Sequence, residues 1–189
     1  MRKSATQGFT LIELMVTVAV AAVVLTVGVP SFREMIQENR AATNANSFVT
    51  AVHFARNEAI KRGQRVSLCK SADGATCTTS GGWQQGWIVF LDPNNPGVVD
   101  TGETIIRVSG GLIGTATLLG NNNVQNRLSF LASGFSGGTN GQLILCDERI
   151  QNFSTDKKKA RVLIISTTGR PSLVKGDDSS VSLTSCTPS

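Results

Sequence analysis

The stretch Gly8-Phe9-Thr10-Leu11-Ile12-Glu13-Leu14 opens an apolar block that runs from Phe9 to Val29 and sets the architecture of the chain. Sixteen of those 21 residues are apolar, interrupted by Thr10, Glu13, Thr17, Thr26 and Gly28. At ~1.5 Å rise per residue a helix of this length reaches roughly 31 Å, about the thickness of a bilayer's hydrocarbon core. Arg2 and Lys3 precede the block without a compensating acid. Basic residues stay on the cytoplasmic side of a spanning helix, so the N-terminus is expected in the cytoplasm and everything after Pro30 outside. An ordinary secretory signal has an apolar region of ~7–15 residues with a small-x-small cleavage site beyond it. Here the small residue, Gly8, stands before the block.

Glu13 is the anomaly. A carboxylate inside a spanning helix costs on the order of 2.5–3.5 kcal/mol on insertion scales, so it either snorkels to the interface or has a partner or a role. Cleavage between Gly8 and Phe9 would create an α-amine one helical turn from Glu13, available to pair with the glutamate of a neighbouring helix.

Beyond the block, Gly28 and Pro30 mark a kink or weak point. Helical spacing then resumes: Phe32, Met35, Ile36, Ala42, Ala45, Phe48, Val49, Val52, Ala55 and Ala59 form one apolar stripe that Gly63 can end. Arg33, Glu34, Glu38, Arg40, Arg56, Glu58 and Lys61 mostly lie off the stripe and read as solvated or partner-facing charges. His53, alone beside the stripe, reads as an ordinary surface residue. After Gly63 the period shortens. Candidate strands are Arg65–Cys69, Trp87–Leu91, Thr104–Val108, Thr115–Leu119, Arg127–Leu131, Gln142–Cys146, Arg161–Ser166 and Val181–Thr184, with Gly/Asn/Ser-rich connections at Gly110–Asn123 and Ser133–Gly141. The expected fold class is α+β: a long N-terminal helix, half transmembrane and half amphipathic, packed on an antiparallel β-sheet head. Its segments are a leader at 1–8, a spanning helix at 9–29, an amphipathic helix at 30–62 and a head with a C-terminal tail at 63–189.

Composition bounds the rest. The chain has 189 residues, 20.0 kDa and a formal charge of +5, which falls to +3 if Arg2 and Lys3 leave with the leader. A mean hydropathy of +0.03 averages an apolar helix with a polar head. One His, no Tyr and 5% aromatics leave few catalytic bases and few surfaces for base stacking. No Gly-x-Ser-x-Gly elbow, P-loop or HExxH occurs, and neither enzyme activity nor a cofactor is expected. Cys69 with Cys77 and Cys146 with Cys186 could close a small and a larger loop, although four cysteines allow three connectivities. Such bonds suit an exported head, whereas their spacing lacks the paired CxxC of a zinc site. The segment Asp92–Glu103 is rich in oxygen ligands, but turns need the same residues and the spacing departs from the EF-hand order, so it reads as a turn and no metal is expected.

The N-terminal motif resembles the class III signal of type IV pilins and type II secretion pseudopilins: a short basic leader, a Gly-Phe junction, a glutamate at the fifth mature position and a long apolar helix. The resemblance implies cleavage by prepilin peptidase between Gly8 and Phe9, N-methylation of Phe9, and docking into a filament guided by Glu13. Ala55-Arg56-Asn57-Glu58-Ala59 with Arg62-Gly63, Val66–Cys69, Gly86–Phe90 with Asp92 and Gly102-Glu103, and Ile164–Arg170 look, in that order, like the FimT/FimU minor pilins and GspH pseudopilins. The implied function is that of a minor pilin supporting pilus biogenesis. It would sit single-pass in the inner membrane with a periplasmic head, then in a pilus or pseudopilus, partnered by other pilins. The alternatives are a secretion pseudopilin and a DNA-binding minor pilin for natural transformation. For the last, Lys157, Lys158, Lys159, Arg161, Arg170 and Lys175 are the candidate phosphate contacts. The family's DNA-binding tail carries Gly-Arg-x-Arg; here Gly169-Arg170 match, Ser172 replaces the second Arg, and Asp177 and Asp178 follow.

Overall fold

The computed structural model describes residues 8–94 and 96–187. Of the expected leader only Gly8 falls among them, so Arg2 and Lys3 lie outside the described residues. One helix, α1, spans Leu11–Arg62 with Pro30 inside it. A proline removes a single i to i−4 bond, and the helix continues past it. The chain divides into two compact units at Asn39/Arg40.

In the first unit no described residue is buried. An 18-residue window of α1 reaches a mean hydropathy of 2.4, and none of it is covered. Phe32, Met35 and Ile36, placed on the apolar stripe by spacing, are 67%, 58% and 48% exposed. Periodicity marks an apolar face but does not say what covers it.

In the second unit the buried face of α1 is Ala41, Asn44, Ala45, Phe48, Ala51, Val52, Ala55 and Ala59. Ala41, Asn44 and Ala51 extend the expected stripe, while Ala42 and Val49 are only half-buried. Small residues at this spacing let strands approach the helix closely. Two four-stranded antiparallel sheets supply them. The first contains β1 (Val66–Lys70), β2 (Trp87–Leu91), β3 (Ile105–Ser109) and β5 (Arg127–Phe130), in the order β3-β2-β1-β5. The second contains β4 (Thr117–Gly120), β6 (Gly141–Cys146), β7 (Arg161–Ile165) and β8 (Pro171–Lys175), in the order β4-β6-β7-β8. A short helix, α2 (Phe153–Asp156), stands between β6 and β7. Seven candidate strands match within a residue or two. The eighth does not: Val181–Thr184 forms no strand, and the last strand is Pro171–Lys175.

Both sheets contribute to one core with the helix, including Leu68, Val89 and Leu128 from the first sheet and Leu143, Leu145 and Leu163 from the second. At its centre Phe48 meets Trp83 and Trp87 edge-on, with ring centroids 5.1 and 5.0 Å away. Such pairs favour the edge-to-face arrangement because the ring edge is positive and the face negative.

One corner explains two of the family landmarks. Arg56, expected in solvent, is partly buried and donates from Nε to the Gly134 carbonyl at 2.9 Å. Gly169 packs over the same carbonyl, where a Cβ would stand 2.2 Å from that oxygen. Its φ of +74° is a second reason for glycine. Residues far apart in sequence thus lock the end of α1 to the β7–β8 turn.

Candidate functional site

The interruptions of the apolar block are resolved one at a time. Thr10 precedes α1 and its Oγ1 accepts from the Glu13 backbone N–H at 3.3 Å, the Thr-x-x-Glu arrangement of a helix start. This capping role of Thr10 was written in its spacing to Glu13, although the motif drew attention to Glu13 alone. Thr17 and Thr26 donate their hydroxyls to the carbonyls of Leu14 and Val23, each at 2.9 Å. Gly28 leaves open space. Among the described residues, the Glu13 carboxylate is therefore the polar group of the block that the chain does not satisfy itself. Around it Phe9, Leu11, Ile12, Leu14 and Met15 are 58–76% exposed. So continuous an apolar surface demands lipid or neighbouring helices, and a carboxylate in such surroundings favours a cation brought by a partner.

In the head, Cys69 is bonded to Cys77 and Cys146 to Cys186. The small loop is ordered from within. Asp73 accepts from the Ser71 hydroxyl, the Ala75 and Thr76 N–H groups and the Thr76 hydroxyl, and these bonds, the Thr76 hydroxyl foremost, hold its carboxyl well below the usual range. Lys70, buried next to Cys69, donates from Nζ to the carbonyls of Thr79 and Gly81 at 3.1 and 2.8 Å, and burial pushes its ammonium down. The larger loop brings the tail to the outer side of the second sheet, where Leu183 and Cys186 pack with Ile144, Ala160 and Phe153.

The six basic candidates do not form one surface. Arg161 is 9% exposed and donates to the carbonyls of Lys158 and Ala160. Lys159 pairs with Asp156 at 2.8 Å and donates to the Arg149 carbonyl; the same lysine holds the Asp156 carboxyl below its ordinary value. Lys157, Lys158 and Lys175 are exposed, with Lys175 opposite Arg161 in the β7–β8 ladder. Arg170 lies at the other end of β8, about 16 Å away at the rise of a strand. The run Lys157–Lys159 is a 3-10 turn following α2. Among the described residues no group of three or more His, Cys, Asp or Glu converges.

An exposed apolar N-terminal helix joined to an antiparallel head defines the class of filament-forming pilins and pseudopilins. The family model of the type II transport protein GspH matches residues 44–169, and that of the prokaryotic N-terminal methylation motif matches residues 3–29. The chain belongs to the GspH family. Among solved structures it is similar to the type IV minor pilin FimU of Pseudomonas aeruginosa, at 25% identity and a TM-score of 0.56, covering 78% of this chain and 96% of that one. The minor pseudopilin EpsH of the Vibrio cholerae type 2 secretion system is also similar, at 17% identity and a TM-score of 0.48, covering 74% and 99%. No curated protein matches. The chain is thus a minor pilin or pseudopilin, of a family whose members are structural subunits rather than enzymes.

Proposed function

We propose that this chain is a minor subunit of a type IV pilus, cleaved by prepilin peptidase between Gly8 and Phe9, methylated at Phe9, and seated in the filament by Glu13. The observation that carries this reading is the Glu13 carboxylate, unsatisfied by its own chain within an exposed apolar helix. Processing creates an amine at Phe9, and an ion pair from Glu13 to that amine on a neighbour both neutralises the carboxylate and sets the axial register of adjacent helices. The remaining apolar side chains then pack helix against helix. The likeness to FimU over most of both chains favours the pilus. The second reading, a pseudopilin of a type II secretion system, is favoured by the matching family model.

The test is a deletion strain complemented with wild type, Glu13→Gln or Glu13→Ala, scored in parallel for surface pili and exoprotein secretion. Loss of pili with intact secretion is expected, and neither variant restores them. The opposite pattern transfers the chain to the secretion apparatus. Intact-mass analysis of the membrane-extracted protein should give a chain beginning at Phe9 and carrying one added methyl group; a mass that retains Met1–Gly8 would refute the processing step.

A further inference from the structure

The β2–β3 hairpin holds two carboxylates that the pilin reading does not use. Phe90 stands opposite Ile105, and the Leu91 N–H donates to the Thr104 carbonyl at 3.0 Å. Continuing this register sets Asp92 opposite Glu103 at the mouth of the hairpin, and the two-residue period puts both on the face of Phe90 and Ile105. Asp92 has no exposed surface. Its Oδ2 accepts from the Ser67 hydroxyl and from the Gly97 N–H, the latter at 2.7 Å, while Oδ1 is buried without a partner. Glu103 repeats the pattern: one carboxylate oxygen accepts from the Asp100 N–H at 2.9 Å, and Oε1 is buried without a partner. Among the described residues neither carboxylate makes an ion pair. The side chain of Arg127 packs against Gly97 of the loop without forming an ion pair to either acid.

A buried acid opposite a half-buried one, each with a buried carboxylate oxygen that has no partner and neither with a counter-charge among the described residues, calls for a cation or a shared proton. We infer that Asp92 and Glu103 form a site for a hard divalent cation of the calcium class, which their unpartnered oxygens Oδ1 and Oε1 ligate. Oxygen-only donors exclude soft metals, and an irregular loop completed by carbonyls and water suits calcium better than the strict octahedron of magnesium. With two carboxylates rather than three or four, the affinity belongs with extracellular modules, roughly 10⁻⁴–10⁻³ M. The bound ion would pin the loop whose Val99 covers Cys69, Ile88 and Phe90.

Full-length protein in detergent, stripped with a chelator, is titrated calorimetrically with calcium chloride and separately with magnesium chloride. One saturable calcium per chain is expected, with magnesium at least tenfold weaker. Asp92→Asn also disturbs the bonds to Ser67 and Gly97 that shape the loop, so Glu103→Gln, which keeps an acceptor for Asp100, carries the decision. It should weaken calcium at least tenfold while leaving both disulfides formed. Absence of saturable binding, or a Glu103→Gln chain that binds as wild type does, overturns the site. A chain that ignores calcium but gains thermal stability on mild acidification holds a shared proton there instead, which equally overturns it.

Discussion

Replacing Gly169 by alanine tests whether the corner between α1 and the β7–β8 turn is held by space as well as by backbone conformation. At φ +74° an L-residue pays about 1–2 kcal/mol for the left-handed region. The added Cβ would also stand 2.2 Å from the Gly134 carbonyl oxygen and 3.3 Å from Arg56 Nε, with backbone rather than a flexible side chain as the obstacle. Overpacking of this kind costs about 1–3 kcal/mol more. The sum is about 2–5 kcal/mol, which for a chain of this size lowers the melting temperature by about 4–20 °C. Gly138 supplies the control: its φ is +80°, but a Cβ there meets nothing within 4 Å, so Gly138→Ala carries the conformational cost alone. Thermal unfolding is best followed by tryptophan fluorescence, since Trp83 and Trp87 are 0% and 1% exposed and both touch Phe48. Equal losses in Gly169→Ala and Gly138→Ala would refute the packing argument.

The two disulfides should differ in worth, because the Cys146–Cys186 loop spans 40 positions and the Cys69–Cys77 loop 8. Chain entropy assigns about 4 and about 2.5 kcal/mol respectively; paired Cys→Ser variants measured in urea would contradict this if the short loop cost more. Asp73 should set part of the acid limit. Its carboxyl is depressed in the fold, so its contribution is complete above the unfolded value of about 3.9 and is lost as pH falls through the folded value. Asp73→Asn is therefore expected to melt below wild type at neutral pH and to converge with it in strong acid, and a constant gap down to pH 2 would exclude this role.

The N-terminal helix was legible because its signals agree: length, hydropathy and a basic approach all give the same answer, whereas the capping Thr10 emerged only from the structure. The strands were legible where buried residues cluster, as in Trp87–Leu91, whose bounds are the same in sequence and structure. The last strand was not. Val181–Thr184 alternates apolar and polar residues better than Pro171–Lys175 does, yet Cys186 draws that segment to the outside of the second sheet, and tail geometry cannot be read from local pattern. Asn44 was missed for a related reason. Its amide donates to the Ile113 carbonyl at 2.9 Å and accepts from the Ile113 N–H at 3.0 Å, so a polar residue is buried by a backbone partner 69 positions away. The candidate site divides similarly: Glu13 stands out from a single helix, whereas the pairing of Asp92 with Glu103 depends on hairpin register, and the separation of Arg170 from Lys175 on a strand that the pattern did not reveal.

β8, an outer strand of its sheet, begins with Pro171 and ends with Lys175. Proline withholds one backbone donor from any strand that would add there, and the lysines of two approaching rims repel. In a family whose subunits assemble through their N-terminal helices, such a rim guards against a competing contact. A bare rim would let two heads that met there pair sheet to sheet. A blunted rim makes such collisions unproductive and leaves ordered growth to the helices.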